Sequence, residues 1–443
     1  MNDASIYEGS CKIRPAGPLK GTVRMPGDKS ISHRAVMLAS LAEGESVIHG
    51  FLESEDCIAT LKAFHRMGVD FYYKDEFLHV EGKGVHGLHE PELVLDMQNS
   101  GTGARLLMGI LAGQPFSTIL TGDSSLRKRP MGRVTSPLKD MGTRFIGREG
   151  GTKLPLAIQG GNLRGIEYET PMASAQVKSA ILLAGLYADG YTVVREPGPS
   201  RDHTERMLKT FGYPVENEGR NSSIHGPVAK AKGMELFVPG DFSSAAFFIV
   251  AALVVPDSDI VIEAVGINPT RTGLLDVLQE MGADITLLNE RLSGSEPVAD
   301  IQVRSSELRG TTVAGDTVVR MIDEFPILAV AAAMASSPTT VREARELRVK
   351  ETDRIAAIVR VLRRMGVEME EREDGFVVIG NSHPQGASCS SFGDHRIAMA
   401  LAVAGLVAEN ETTVQGTASI STSCPDFFSL LETLSSGSVV ELT

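Results

Sequence analysis

The sequence has only four cysteines, Cys11, Cys57, Cys389 and Cys424, and they form no C-x-x-C pair. Neither a zinc site nor a disulfide framework is suggested, and a reducing compartment, the cytoplasm, is expected. The H-E-x-x-H pattern and clustered histidines are also missing, so no metal is expected, and without a Walker lysine motif nucleotide hydrolysis is disfavoured. Long apolar runs are scarce: the longest, Phe247 to Val255, is too short to span a bilayer. Met1 to Lys12 is polar and lacks the apolar core of a signal peptide, so no membrane targeting is expected. Positive charge is in deficit, with a formal net charge of −13, which disfavours nucleic acid and anionic membranes as partners. Any anion site must therefore be a local focus of basic residues.

Hydrophobic residues make up 42% of the chain and charged residues 22%, as in ordinary globular proteins. At 443 residues the chain exceeds one ordinary core, and two domains are expected. The stretch Gly27-Asp28-Lys29-Ser30-Ile31-Ser32-His33-Arg34 leads into an apolar helix from Ala35 to Leu41, with Asp28 or Ser30 as N-cap. Backbone N–H groups at that terminus, the positive end of the helix dipole, Lys29, and Arg34 one turn past Ser30 suit a small, highly charged anion. Taken alone, the stretch reads equally well as a capped helix with solvated basic residues.

The same grammar recurs at Ser100, Ser174, Ser243, Asp323 and Asp394. Each copy opens with a residue suited to capping, continues as a small-residue apolar helix and ends in a β-rich segment, at a spacing of roughly 70 residues. Between the copies lie more polar, amphipathic helices: Asp56 to Gly68, Arg133 to Gly142, Asp202 to Gly212, Thr270 to Gly282, Thr352 to Gly366 and, with a weaker pattern, Pro425 to Gly437. A terminal glycine suits a left-handed helix stop. The first helix type, apolar all round, is expected to be buried, and the second to show a face to water. Six α/β units divide into two groups of three at the turn residues Phe237-Val238-Pro239-Gly240-Asp241. The expected domains are 22–240, and 1–21 plus 241–443, with the N-terminal strand closing the second.

Most of the charged and Gly-rich signals fall at the starts of the buried helices: Lys29 and Arg34; Asn99-Ser100-Gly101-Thr102-Gly103-Ala104-Arg105; Ser174-Ala175-Gln176-Val177-Lys178; Asp323-Glu324; and Asp394-His395-Arg396. Equivalent repeats oriented alike would cluster these termini around one cleft between the domains. The copy at Ser243 has no basic neighbour in sequence, so its serines are assigned mainly to capping. Asn99 to Arg105 lacks the G-x-G-x-x-G spacing, which argues against dinucleotide binding. Arg127-Lys128-Arg129-Pro130-Met131-Gly132-Arg133 is a basic loop, the kind of run that is usually a solvated face. In Leu347-Arg348-Val349-Lys350-Glu351-Thr352-Asp353-Arg354, Lys350 and Arg354 sit four apart and suit one helix face, with Glu351 near enough for a proton relay. Alone, that segment reads as a surface ion-pair network.

Together these motifs resemble the 5-enolpyruvylshikimate-3-phosphate synthase family of enolpyruvyl transferases. The resemblance spans nearly the whole chain and rests on Pro26 to Arg34, Asn99 to Arg105, Arg129-Pro130-Met131, Ser174-Ala175-Gln176, Asp323-Glu324-Phe325-Pro326, Lys350 to Arg354 and Gly393-Asp394-His395-Arg396. It implies an α/β fold of two inside-out domains, each of three βαβαββ units, with the ligand cleft between them. It also implies transfer of the carboxyvinyl group of phosphoenolpyruvate to the 5-hydroxyl of shikimate 3-phosphate, with phosphate released. No cofactor is implied, and a cytoplasmic monomer acting on small molecules is expected.

By resemblance, Lys29, Ser30, Arg34, Ser174, Ala175, Gln176, Asp323 and Lys350 would hold shikimate 3-phosphate. Lys29, Gly101, Arg129, Gln176, Arg354 and Arg396 would hold phosphoenolpyruvate. Asp323, Glu351 and Lys29 are the expected catalytic groups: Asp323 as base at the hydroxyl, Glu351 for proton transfer at the methylene carbon, and Lys29 for charge stabilisation. The family resemblance also implies competition between glyphosate and phosphoenolpyruvate. Two positions depart from the family pattern. Ser421-Thr422-Ser423-Cys424-Pro425-Asp426 lacks the lysine many relatives carry there, and Leu106 replaces a proline common after the arginine.

Two other readings compete. A sister enolpyruvyl transferase acting on UDP-N-acetylglucosamine usually has a reactive cysteine in its loop, whereas the loop around Arg129 has none. A non-catalytic ring or clamp encircling a polymer is disfavoured by the acidic chain.

Overall fold

The structure, a computed structural model, describes residues 9–442. The first eight residues of the signal-peptide and domain expectations lie outside the described residues. Two helix types alternate along the chain. The apolar type comprises Lys29–Leu41, Gly101–Ala112, Ala175–Gly185, Phe242–Val254, Phe325–Met334 and His395–Leu406. Apolar side chains all round leave no face for water, so each helix is buried along nearly its whole length.

In one compact unit Gly101–Ala112 packs against both Lys29–Leu41 and Ala175–Gly185, and in the other Phe242–Val254, Phe325–Met334 and His395–Leu406 pack mutually. Gly109 shows how close the packing is: a Cβ there would stand 2.2 Å from the Ala180 carbonyl oxygen. Each unit has its own contiguous apolar core.

The amphipathic helices are Glu55–Arg66, Gly132–Met141, His203–Thr210, Gly273–Glu280, Arg354–Arg364 and Phe427–Leu434. Gly68, Gly142, Gly212, Gly282 and Gly366 follow them with φ of 91, 122, 78, 95 and 83°, the left-handed stop that a side chain would resist. The last helix instead ends at Leu434, with Ser435 extended.

The described strands form six four-stranded sheets of one pattern. In the clearest, Leu95–Asp96 runs parallel to Ser117–Thr121, while Lys153–Gln159 pairs antiparallel with both Ser117–Thr121 and Arg144–Gly147. With the intervening helices, this is a βαβαββ unit. Three sheets borrow a strand from a distant part of the chain. Lys20–Arg24 precedes the Lys29–Leu41 helix yet pairs parallel with Asp259–Gly266. Glu235–Phe237 precedes Phe242–Val254 yet pairs parallel with Glu43–His49. Ser10–Ile13 inserts antiparallel between Thr412–Gln415 and Val440–Leu442.

The units are therefore 27–239 with 292–296, and the described residues up to Pro26 with 240–291 and 297 onward. Residues 22–26, expected in the first domain, belong to the second because their strand pairs with Asp259–Gly266. Residues 292–296, expected in the second, belong with the first: Glu296 Oε1 lies 2.8 Å from His203 Nδ1, and Arg206 donates to the Ser295 carbonyl at 2.8 Å. Among the described residues no helix is long and apolar enough to cross a membrane.

Candidate active site

In the first unit, Asp28 caps the Lys29–Leu41 helix by accepting the Ile31 N–H at 2.8 Å. Lys29 and Ser30 thus fall in the first helical turn, and Lys29 Nζ reaches Asp56 Oδ2 at 3.0 Å. Arg34 is not a solvated base. It donates to the Ser30 carbonyl at 2.8 Å, to Thr204 Oγ1 at 2.6 Å and to Ser179 Oγ at 2.9 Å. Burial draws its guanidinium down to about 10, with Glu205 and Asp28 acting the other way. Next to it, His33 is enclosed, with Nδ1 2.8 Å from Thr60 Oγ1. Burial, with Lys29 and Arg34 close by, pushes His33 down to about 3, so its ring is neutral.

Ser100 caps the Gly101–Ala112 helix through the Gly103 N–H at 3.1 Å. A Cβ on Gly101 would lie 3.0 Å from Arg129 Nη1 and 3.1 Å from Arg105 Nη1, so the absent side chain lets two guanidinium groups approach the helix start. Arg129 is braced by Asn99 Oδ1 at 2.6 Å, and Arg105 by Gln176 Oε1 at 2.8 Å and the Pro130 carbonyl at 3.0 Å. Gln176 in turn donates to Thr102 Oγ1 at 2.9 Å. Gly101, Arg129 and Gln176 are thereby drawn together, and Ser174 and Ala175 begin the helix that carries Gln176. Leu106 is fully buried one turn further on, and the helix start is set by the Ser100 cap.

Lys178, grouped by sequence with the anion-binding signals, is already committed elsewhere. Its ammonium sits 2.8 Å from both Glu196 Oε2 and Glu205 Oε1. Burial opposes its charge, but the two carboxylates outweigh that and hold it above the ordinary lysine range.

In the second unit the acidic and basic motifs meet at Asp323. Its Oδ1 lies 3.3 Å from Arg354 Nη1 and 3.7 Å from Lys350 Nζ, and its Oδ2 3.9 Å from Arg396 Nη2. Asp323 is not the helix cap; Phe325–Met334 begins after Glu324, with Pro326 in its first turn. Nor do Lys350 and Arg354 share a helix face: Lys350 ends the 3-10 turn Arg345–Val349 and Arg354 begins the next helix. The surface ion-pair reading fits Arg348, which reaches Asp353 and Glu371. It fails for Arg354, whose side chain is 1% exposed and also holds Glu351 Oε2 at 2.6 Å and Asp394 Oδ2 at 2.8 Å. Those carboxylates, against the cost of burial, keep the Arg354 guanidinium above its ordinary range. Burial, with Arg354 beside it, draws the Lys350 ammonium below its ordinary range, opposed by Asp323.

The Ser243 copy departs from expectation. Asp241, not Ser243, caps Phe242–Val254, and a basic residue is at hand: Arg271 donates to Ser243 Oγ at 2.7 Å and to Asp241 Oδ1 at 3.0 Å. Ser243 Oγ also donates to the buried Glu324 carboxylate. Sequence spacing marked Arg271 only as an early residue of the Thr270 to Gly282 amphipathic helix; in the structure it precedes that helix, which spans Gly273–Glu280. Asp56 was legible only as an opening residue of such a helix.

Residues 13–431 match the pattern of the family described as EPSP synthase (3-phosphoshikimate 1-carboxyvinyltransferase). The chain belongs to the EPSP synthase family. Among its relatives, the 3-phosphoshikimate 1-carboxyvinyltransferase of Citrifermentans bemidjiense is 55% identical over 420 residues, covering 95% of this chain and 98% of that one. The relative of the same name from Desulforamulus reducens is 53% identical over 421 residues, again covering 95% and 98%. The solved EPSP synthase of Acinetobacter baumannii superposes with a TM-score of 0.87 at 46% identity, covering 98% of this chain and all of that one. The enolpyruvyl transferase NikO of Streptomyces tendae, at 18% identity and a TM-score of 0.80 over 99% of each chain, shows the shared fold alone.

Within this EPSP synthase scaffold, the stretch that lacks a lysine begins in the last two residues of the 3-10 turn Thr417–Thr422, and Cys424 is buried there. All four cysteines are buried and unpaired with one another. Burial pushes the thiols of Cys11 and Cys424 up to about 12, which keeps them protonated and unreactive.

Proposed function

We propose that these clusters carry out the family's reaction, transfer of the carboxyvinyl group of phosphoenolpyruvate to the 5-hydroxyl of shikimate 3-phosphate in aromatic amino-acid biosynthesis. The observation that carries this reading is the Asp323 carboxylate, faced by Lys350, Arg354 and Arg396 within 3.9 Å. Three cations converging on one carboxylate set an acceptor for a hydroxyl proton beside positive groups suited to anionic substrates.

In this reading Lys29, Ser30, Arg34, Ser174, Ala175, Gln176, Asp323 and Lys350 hold shikimate 3-phosphate. Lys29, Gly101, Arg129, Gln176, Arg354 and Arg396 hold phosphoenolpyruvate, with Lys29 serving both. Phosphoenolpyruvate gains a proton at its methylene carbon, and the shikimate 5-hydroxyl attacks the adjacent carbon as Asp323 accepts its proton. The tetrahedral intermediate then loses a proton from the new methyl group as phosphate leaves, restoring the vinyl double bond. Glu351, hydrogen-bonded to Arg354, is placed to move the proton to and from that carbon. The arginines and Lys29 orient the two anions and stabilise the charge on the departing phosphate.

Phosphate release on mixing the purified protein with both substrates tests the reading. Release that requires both substrates supports it, and no release defeats it. The protein is further proposed to be a cytoplasmic monomer, for which light scattering should give the mass of one chain.

A further inference from the structure

Of the six residues that open buried helices, Ser174 and Glu324 make no side-chain cap, and Ser174 is the one of the two whose side chain is suited to capping. Asp28, Ser100, Asp241 and Asp394 each turn a side-chain oxygen back onto a helix N–H. Ser174, with φ −151° and ψ 103°, makes no such bond, although serine is among the strongest N-cap residues. Its backbone N–H is held by Glu196, whose Oε1 accepts it at 3.0 Å. The other Glu196 oxygen accepts from Ser200 Oγ at 2.9 Å and meets Lys178 Nζ at 2.8 Å.

A carboxylate beside a phosphate site would ordinarily repel the ligand, and burying it would be costly. Lys178 offsets both effects, and Glu205 completes the lysine's pairing. The neighbours of this ion pair reach a second anion-binding residue. Ser179, next to Lys178, lies 2.6 Å from Thr204, next to Glu205, and both hydroxyls accept from Arg34. Two adjacent residues on one helix thus meet two on another, tying Ser174 through the charged pair and Arg34 through the hydroxyls.

We propose that Glu196, charge-balanced by Lys178, is a positioning residue for shikimate 3-phosphate. By accepting the Ser174 N–H, it holds the Ser174 backbone at φ −151° and ψ 103°, where the hydroxyl makes no bond to its own helix and is presented to the ligand. This rests on the assignment of Ser174 as a shikimate 3-phosphate ligand. Without the Glu196 acceptor, Ser174 relaxes toward ordinary capping geometry, and its hydroxyl is spent on a helix N–H.

Steady-state kinetics of the full chain, varying each substrate in turn, test this with Glu196→Ala, Glu196→Gln and Ser174→Ala. Glu196→Ala should raise the KM for shikimate 3-phosphate by about tenfold, the scale of one lost hydrogen bond to a charged group, with the KM for phosphoenolpyruvate changed less than about twofold. Glu196→Gln retains an acceptor oxygen and should restore most of the affinity. Lys178 keeps Glu205 in these variants, so no charge is stranded; should Glu196→Ala fail to fold, Glu196→Met fills the volume without an acceptor and takes its place.

An unchanged shikimate 3-phosphate KM in the acceptor-free variant, a parallel rise in both KM values, or no rescue by glutamine would overturn the proposal. If Ser174→Ala weakens shikimate 3-phosphate and the Glu196 variants do not, the positioning role fails while the ligand assignment stands. If Ser174→Ala has no effect, the assignment itself fails, and the role of Glu196 falls with it.

Discussion

Arg354 donates through Nε to Asp394 Oδ2 at 2.8 Å across 40 residues of sequence, with the arginine side chain 1% exposed and the aspartate fully enclosed. The same aspartate accepts the Arg396 N–H at 2.9 Å and so caps the His395–Leu406 helix. One carboxylate thus fixes two of the three arginines proposed to hold phosphoenolpyruvate.

Asp394→Ala should therefore destabilise the protein by about 3–5 kcal/mol, the cost of stranding one member of a buried ion pair. The lost helix cap adds to the same effect. Urea unfolding measures it, and a midpoint unchanged from wild type would show that Glu351 and Asp323 suffice for Arg354.

Asp323→Asn and Glu351→Gln should lower kcat by about 10²- to 10⁴-fold, the usual contribution of a proton-transfer group. Substrate dissociation constants should change far less, because the missing proton transfer is felt in the transition state. Rapid-quench turnover set beside equilibrium binding separates the two quantities. Wild-type turnover in either variant removes that residue from the mechanism.

His33 makes folding sensitive to acid. Its native value of about 3 lies below the ordinary 6.5, so between these pH values the unfolded chain holds a proton that the native protein lacks. Stability from this group is fully present above about 6.5 and falls as pH drops toward about 3, by up to about 1.4 kcal/mol per pH unit. Chemical denaturation at pH 7, 6, 5 and 4 on wild type and His33→Gln is the check. The variant should show a shallower loss, and identical slopes would refute the assignment.

Gly101→Ala places a methyl group 3.0 Å from Arg129 Nη1 and 3.1 Å from Arg105 Nη1. Both contacts are with flexible side-chain ends, so the guanidinium groups give way rather than the backbone. Overpacking of this kind costs about 1–3 kcal/mol, which felt in binding is a factor of about 5 to 150. Glyphosate, bulkier than phosphoenolpyruvate, should lose more: its inhibition constant should rise further than the KM for phosphoenolpyruvate. Equal rises would mean that Gly101 does not discriminate between the two.

What the sequence determined by itself was local. Helices such as Phe242–Val254 are apolar on every side and have one destination, the interior. Gly68 and Gly142 could be read as helix stops because a left-handed φ is a demand of the chain on itself. Repetition of that grammar supplied the count of units, and the ordered motifs supplied the family.

Tertiary structure alone decided which distant groups share a charge or a strand. Nothing near Ser243 in sequence announced Arg271, and Lys178 looked like an anion-binding lysine until Glu196 and Glu205 were seen to claim it. Lys20–Arg24 and Glu235–Phe237 each pair beyond the repeat they precede, which no reading of periodicity predicts. The physical reason is common to all of them. A helix propensity or a cap is satisfied within a few residues, whereas a buried charge or an open strand edge must be satisfied by whatever the fold brings alongside.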